Sequence, residues 1–302
     1  MIVDCAIVGG GPAGLNAALL LGRARRSVIL FDDNKPRNAV TRHMHGFLTR
    51  DGVSPDHFRA LAWQDIVQYP GVKIDRNRVI SIWRVNGGFQ LQTAGGDGGV
   101  FYARKLILAT GLKESLPEIP YIHSFYGRSL FSCPYCDGWE LRDKPLVIIA
   151  EGENAFTLTR LAYQWSKDIL LCTNGSNELR DNELSGLRHK GIVVSHERIA
   201  SLVGEDGILR GLRFVGGREV QRTGGFVSPY WKQASHFAES LGCLMNENGG
   251  IHTDGLGRTS VFGVYAAGDN SIIAPAQASI AAGEGSKAAI GVNADLVKED
   301  FV

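Results

Sequence analysis

Ile2-Val3-Asp4-Cys5-Ala6-Ile7-Val8-Gly9-Gly10-Gly11-Pro12-Ala13-Gly14 decides the fold. An apolar run of strand length ends in glycines spaced Gly9-x-Gly11-x-x-Gly14. An Ala/Leu-rich segment of helical pattern, residues 15–25, follows at once. In that order the first glycine permits a tight turn, the second lets backbone approach a pyrophosphate, and the third packs helix on strand. The N–H groups of the helix's first turn then face the phosphates. A second apolar run, Ser27-Val28-Ile29-Leu30-Phe31, leads into Asp32, where a carboxylate can bond ribose hydroxyls. Asp33 is adjacent and is an alternative for that role. The whole is a β-α-β unit of a parallel sheet.

Outward from this unit, residues 72–85 and 89–93 read as hairpin material around Asn86-Gly87-Gly88. Lys105-Leu106-Ile107-Leu108 reads as a buried strand ending in Ala109-Thr110-Gly111. A second βαβ pattern follows: strand 146–149, turn 150–154, helix 155–166 and strand 168–172. Residues 261–267 read as a strand ending in Gly268-Asp269, and a small-residue helix runs from about 276 to 297. The expected fold is α/β, with two Rossmann-like nucleotide-binding domains of three-layer ββα type, the second inserted into the first. Residues 1–114 and 225–302 form the discontinuous outer domain and residues 115–224 the insert. Pro117, Pro120 and Gly224-Gly225 supply the linker chemistry at the two joints.

Composition narrows the function classes. The 302 residues are 44% hydrophobic and 21% charged, with a net charge of +1. No global field draws the chain to nucleic acid or to an anionic membrane. No apolar run approaches the roughly 18 residues of a membrane helix. The chain enters a strand with no basic lead or cleavage site, so a cytoplasmic protein is expected. Of the five cysteines, Cys5, Cys172 and Cys243 stand singly in apolar or small-residue settings and read as buried core thiols. His43, His45 and His57 have spacing that suits neither metal ligation nor a catalytic triad, and no metal site is expected. Trp63, Trp139, Trp165 and Tyr230-Trp231 read as packing residues.

Cys133-Pro134-Tyr135-Cys136-Asp137-Gly138 stands just before the second βαβ pattern. Two cysteines two residues apart, followed by an acid, are the parts of a reversible disulfide beside a proton donor. Zinc is an alternative, but a structural site wants four ligands and the chain has no second such pair. A glutaredoxin-like domain and two idle cysteines are the others.

GGGPAG, ATG, CPYCDG and AAGD, in this order and approximate spacing, resemble the low-molecular-weight thioredoxin reductase family over nearly the whole chain. The resemblance implies FAD in the outer domain, a homodimer, and rotation of the insert so that the dithiol alternately faces flavin and partner. It makes Cys136 the flavin-proximal thiol, Cys133 the thiol that attacks the partner disulfide, and Asp137 the acid/base. Gly9, Gly11, Pro12, Ala13, Gly14, Asp32, Ala109, Thr110, Gly111, Gly268 and Asp269 would line the FAD site. Arg37, Asn38 and His45 lie where the family's chain passes the cofactor. The helix starting near Gln277-Ala278 would point its positive end at the flavin's pyrimidine edge. The implied function is FAD-dependent thiol–disulfide exchange with a thioredoxin-like protein or a small dithiol or disulfide.

One segment departs from the family. Where G-x-G-x-x-A should receive NADPH or NADH, the insert has Ala150-Glu151-Gly152-Glu153-Asn154-Ala155. Alanine stands at the turn glycine, where a Cβ is strained if φ is positive. Two carboxylates stand where a pyrophosphate should lie. The place of the family's arginine cluster reads Thr173-Asn174-Gly175-Ser176-Asn177. Use of NADPH or NADH is therefore in question. A nicotinamide-independent dithiol oxidase, or a reductase with another electron donor, is the alternative.

Overall fold

The computed structural model describes residues 2–95 and 99–301. The opening stretch folds as β1 (Ile2–Val8) running into α1 (Pro12–Arg23) and returning as β2 (Val28–Phe31). α2 (Pro55–Ile66) and β3 (Val72–Asp75) follow, and then the meander β4 (Val79–Val85), β5 (Gly88–Thr93) and β6 (Val100–Leu108). The segment 72–85 is thus two strands, not one hairpin arm. β3 pairs parallel with β2, β4 and β5 form the antiparallel hairpin, and β5 also pairs antiparallel with β6.

The chain continues through β7 (Leu112–Ser115), α3 (Ile122–Phe125), β8 (Leu130–Phe131), α4 (Pro134–Asp137), β9 (Leu146–Ile149), α5 (Glu153–Ala162), β10 (Ile169–Cys172), α6 (Asp181–His189) and β11 (Val193–Ser195). An antiparallel trio, β12 (Ile199–Glu205), β13 (Ile208–Phe214) and β14 (Glu219–Gln221), precedes β15 (Gly224–Val227). Then come β16 (Tyr230–Gln233), α7 (Phe237–Ser240), β17 (Val264–Ala266) and the 23-residue α8 (Ala278–Asp300).

These elements make two compact units. One is Met1–Ala39, Gly46–Lys113 and Trp231–Val302; the other is Val40–His45 and Glu114–Tyr230. The first unit holds the sheet β3-β2-β1-β6-β5-β4, with β17 also paired to β6. β1, β2, β3, β6 and β17 run parallel. Both faces are covered, which is why β1 and β2 read as near-continuous apolar runs. One face buries α1 and α8 residues such as Leu21, Ala288 and Val292, and the other buries Phe89, Leu91 and Ile251. The second unit holds the parallel order β11-β10-β9-β15-β8.

Two boundaries differ from the sequence reading. The second joint, expected within residues 224–230 with the outer domain resuming at 225, lies after Tyr230, because Gly224–Val227 is a buried strand registered between β9 and β8. Val40–His45 also groups with the second unit. The first joint lies between Lys113 and Glu114. The helix ends move too, to Glu153–Ala162 and Ala278–Asp300.

α8 lies across α1 at its glycines. A side chain on Gly285 would overlap the Ala13 carbonyl, and Asn16 Nδ2 donates to the Ala282 carbonyl at 2.8 Å and to Ser286 Oγ at 2.5 Å. The far end of α8 is tied down by Arg258, which meets Asp295 at 2.7 Å, and by Tyr265, whose hydroxyl donates to the same carboxylate at 2.5 Å. Because the obstruction at Gly285 is backbone, relief requires moving a helix. Gly285→Val is expected to lower unfolding free energy by about 1–3 kcal/mol, read as a lower urea midpoint at unchanged slope.

Candidate functional site

The first unit presents a cradle where β1 turns into α1. Gly9 sits at φ 115°, and a side chain on it would strike the Ala109 carbonyl. Gly14 lies against the Gly9 carbonyl and the Ala109 methyl. The Gly9–Gly14 turn and Ala109-Thr110-Gly111 are therefore packed together at the sheet's carboxyl edge. Gly11 is the N-cap of α1, no side chain caps the helix, and nothing lies within 4 Å of where its Cβ would stand. The first turn of a helix carries N–H groups with no intrahelical partner, so this end is open to an anion. Pro12 occupies the first turn and Ala13 is buried.

Around the cradle, Asp32 is 4% exposed and Gly10 packs directly on its carboxylate. Its Oδ2 accepts from Arg59 Nη2 at 2.5 Å and its Oδ1 from the Asn34 N–H at 3.0 Å. Asp33 is only half-buried. Gly268 adopts φ 86° against the Ala13 methyl, and Asp269 pairs with Arg37 at 2.8 Å. Arg37 lies over the Trp231 ring at 5.0 Å, and Asn38 follows it in a short 3-10 turn. Gln277 is the N-cap of α8, with Ala278 its first residue. His45, expected beside the cofactor, falls in the second unit, with its Nε2 3.7 Å from Glu140 Oε1.

Two polar residues of this cradle carried no sequence signal. Asn270 is fully buried; its Nδ2 donates to the Leu108 carbonyl at 2.9 Å, while its Oδ1 has no partner. Arg59 is 3% exposed, with Nε and Nη1 unpaired beyond its bond to Asp32. Arg59 reaches Asp32 across 27 residues of sequence, a separation no local pattern reports.

The second unit carries the cysteines. Cys133 and Cys136 form a disulfide across a Cα–Cα distance of 5.3 Å. Cys133 is the N-cap of the one-turn α4, and its carbonyl accepts the N–H groups of Cys136 and Asp137 at 3.1 and 3.2 Å. Gly138 closes this turn with φ −68°. It is needed for close approach, because a side chain there would meet the Pro134 carbonyl and the Trp165 indole. Trp165 also takes Tyr135 edge-on at 5.6 Å between ring centroids. Burial, and the neighbouring Glu140 charge after it, push Asp137 up to about 7. A carboxyl that titrates there is available at neutral pH in both protonation states. The other cysteines are core thiols: Cys5, Cys172 and Cys243 are buried, and burial pushes Cys172 up to about 12. Among the described residues no helix is long and apolar enough to cross a membrane.

A glycine-lined cradle in one unit and a disulfide between cysteines three residues apart in the other have counterparts among known proteins. Residues 3–285 match the pyridine nucleotide-disulphide oxidoreductase family. The chain belongs to that family. It is similar to a probable thioredoxin reductase of Arthroderma benhamiae, 30% identical over 98% of this chain and 81% of the relative. Thioredoxin reductase aclD of Aspergillus oryzae is 31% identical over 99% and 98%. Among solved structures, a putative thioredoxin reductase TrxB from Bacillus anthracis superposes with TM-score 0.94 at 44% identity, covering 99% of this chain and 100% of that one. The chain is accordingly a thioredoxin-reductase-like oxidoreductase with the two-domain Rossmann-type fold of that family, whose members use FAD with NAD(P)H.

The first unit fits FAD. The open space at Gly11, the uncapped start of α1 and the unpaired Asn270 Oδ1 are what a bound dinucleotide would fill.

The Asp137 carboxyl has a stability consequence. Its folded value lies above its ordinary one of 3.8, so between about pH 4 and 7 the folded protein binds more protons than the unfolded, and stability falls as pH rises through that window. Asp137→Asn should remove this slope. The variant is expected to gain urea resistance relative to the parent at pH 8.5 and to lose the advantage near pH 4, as read by urea titrations at the two pH values.

Proposed function

We propose that Cys133 and Cys136 carry electron pairs between FAD held by the first unit and a sulfur substrate, either the disulfide of a thioredoxin-like protein or a small dithiol. The observation that carries the reading is the Cys133–Cys136 disulfide with Asp137, a carboxyl titrating at about 7, next to Cys136 in the chain. Gly9, Gly11 and Gly14 with Ala109-Thr110-Gly111 take the pyrophosphate side, and Asp32, oriented by Arg59, takes the ribose. Asp269, braced by Arg37, takes the polyol, and the start of α8 at Gln277-Ala278 takes the ring edge. Bound FAD supplies a two-electron store.

In the reducing direction the Cys133 thiolate attacks one sulfur of the substrate disulfide. The S–S bond breaks, a mixed disulfide forms, and the leaving thiolate takes a proton from Asp137. Cys136 then loses its proton to Asp137 and attacks Cys133 Sγ, which expels the second substrate thiolate and re-forms Cys133–Cys136. The substrate has gained two electrons and the protein dithiol has lost two. The same steps reversed oxidise a substrate dithiol.

A second reading, a dithiol oxidase with dioxygen as final acceptor, is favoured by the carboxylates of residues 150–155. A homodimer and a cytoplasmic location complete the proposal. Ile290 and Val297, one face apart by seven residues on α8, are half-exposed apolar side chains that suit a subunit contact.

Cys136→Ser and Cys133→Ser are each expected to keep the flavin absorbance of the purified protein and to lose thiol-coupled turnover by about 1,000-fold or more. Asp137→Asn should lower turnover about 100-fold or more and abolish the limb of the pH–rate profile near 7. Full turnover in either serine variant, or a colourless parent protein that takes up no FAD, would remove the reading.

A further inference from the structure

The family's nicotinamide nucleotide would lie at the start of α5, where the second unit repeats the strand–turn–helix arrangement of the first. Backbone geometry there is permissive. Ala150 is not among the residues of positive φ, so the strain expected of alanine at that place is absent, and its methyl is buried in the core under α5. Gly152, the N-cap of α5, holds the positive φ of 61° instead. Any obstacle to a nucleotide is therefore in the side chains.

Those side chains are carboxylates. Glu178 Oε2 lies 2.8 Å from where a Cβ on Gly152 would stand, which is the face a pyrophosphate must approach. Glu151, one residue before Gly152, accepts the Tyr230 hydroxyl at 2.9 Å. The Tyr230 hydroxyl is pushed above its ordinary range by that bond first, then by burial and by the charges of Glu151 and Glu178. Two carboxylates thus already act on one exposed hydroxyl beside the turn. Glu153 is the first helical residue, and Arg180 offsets it only across 3.5 Å in solvent.

The loop after β10, where the family carries arginines for the 2′-phosphate, is closed on itself. Thr173 Oγ1 donates to the Ser176 carbonyl at 2.5 Å, and Asn174 Oδ1 accepts the Ile199 N–H at 3.0 Å. Arg198 lies against Gly175 in this loop. Arg180 meets Glu153 and Arg198 lies against Gly175, whereas the atom nearest a side chain on Gly152 is the Glu178 carboxylate.

We propose that Glu178, with Glu151 and Glu153, occupies the phosphate position at the start of α5, so that the second unit keeps the dinucleotide fold without binding NADPH or NADH. The chain's own carboxylate plays the part of the phosphate. A pyrophosphate arriving there would meet like charge at short range, where each facing carboxylate costs roughly tenfold or more in affinity. Electrons then enter from thiols. A substrate dithiol loses two electrons and two protons and closes to a disulfide. The Cys133–Cys136 disulfide opens to take up that pair and the two protons; FAD held by the first unit would supply the two-electron acceptor that lets it re-form, with dioxygen as the final oxidant, reduced to hydrogen peroxide. This consequence rests on the role given to Cys133 and Cys136 above; the exclusion of the nucleotide does not.

The test uses the full-length holoprotein and two independent readouts. Binding of NADPH and NADH is followed by saturation-transfer NMR, and anaerobic flavin bleaching is followed on adding NADPH, NADH or dithiothreitol. The expected result is bleaching by dithiothreitol and no binding or bleaching by either nucleotide up to about 1 mM, the upper end of ordinary substrate affinities. The E151Q/E153Q/E178Q variant, and E178Q alone as the milder change, should bind NADPH roughly tenfold or more tighter than the parent. Saturation of the parent by micromolar NADPH or NADH would overturn the inference. So would a correctly folded triple variant whose NADPH affinity equals the parent's. Failure of dithiothreitol to bleach the flavin, with nucleotide binding still absent, would strike the thiol-exchange reading and leave the exclusion of nucleotide standing.

Discussion

Contact between backbone and backbone at the turn from β1 into α1 is the constraint on which the first unit depends. Gly14 meets the Gly9 carbonyl, Gly9 meets the Ala109 carbonyl, and Gly285 meets the Ala13 carbonyl. Each is a place where a side chain would have to displace a main chain, the least compliant thing in a packed interior. These approaches bring the start of α1, the end of β6 and the body of α8 to one edge of the sheet. The uncapped helix terminus faces out from that edge, and Asp32 and Asp269 are held there by Arg59 and Arg37. The cradle is a consequence of close packing more than of any single polar residue.

The same supersecondary unit appears again in the second unit with the opposite electrostatics. At the start of α1 no side chain caps the helix, and there is room beside Gly11. At the start of α5 a carboxylate stands over Gly152. A helix N-terminus favours negative charge from any source, and a side chain of the chain itself serves as well as a ligand does. Fold and ligand preference are separable for this reason. The parallel sheet and glycine turn are set by packing, whereas the choice of anion rests on a few charges that packing does not dictate.

The dithiol loop combines a local device with a distant one. Proline and the one-turn α4 bring Cys133 and Cys136 within disulfide reach by sequence alone. Trp165, from beyond α5, closes the loop over Gly138, and burial together with Glu140 moves the Asp137 carboxyl into the neutral range. An acid at this position without that burial would be ionised at neutral pH and could not donate a proton.

Most of the fold was legible because its signals are local. Apolar runs of strand length, the Gly9–Gly14 spacing and the small-residue helix at the end of the chain each specify their own element, and the order of elements implies the parallel sheets. Local pattern misplaced Gly224–Val227, because a short strand's membership is decided by the strands beside it, β9 and β8. It also merged β3 with β4, whose separation is fixed by β3 pairing with β2. The sequence by itself determined the fold class, the cysteine pair and the acidic character of the second turn. Only tertiary structure decided that Arg59 grips Asp32, that His45 faces Glu140, that Ala150 is unstrained and that Glu178 covers Gly152. Each of those last facts joins residues far apart in the chain or depends on a backbone angle, and neither a spacing rule nor a composition carries that information.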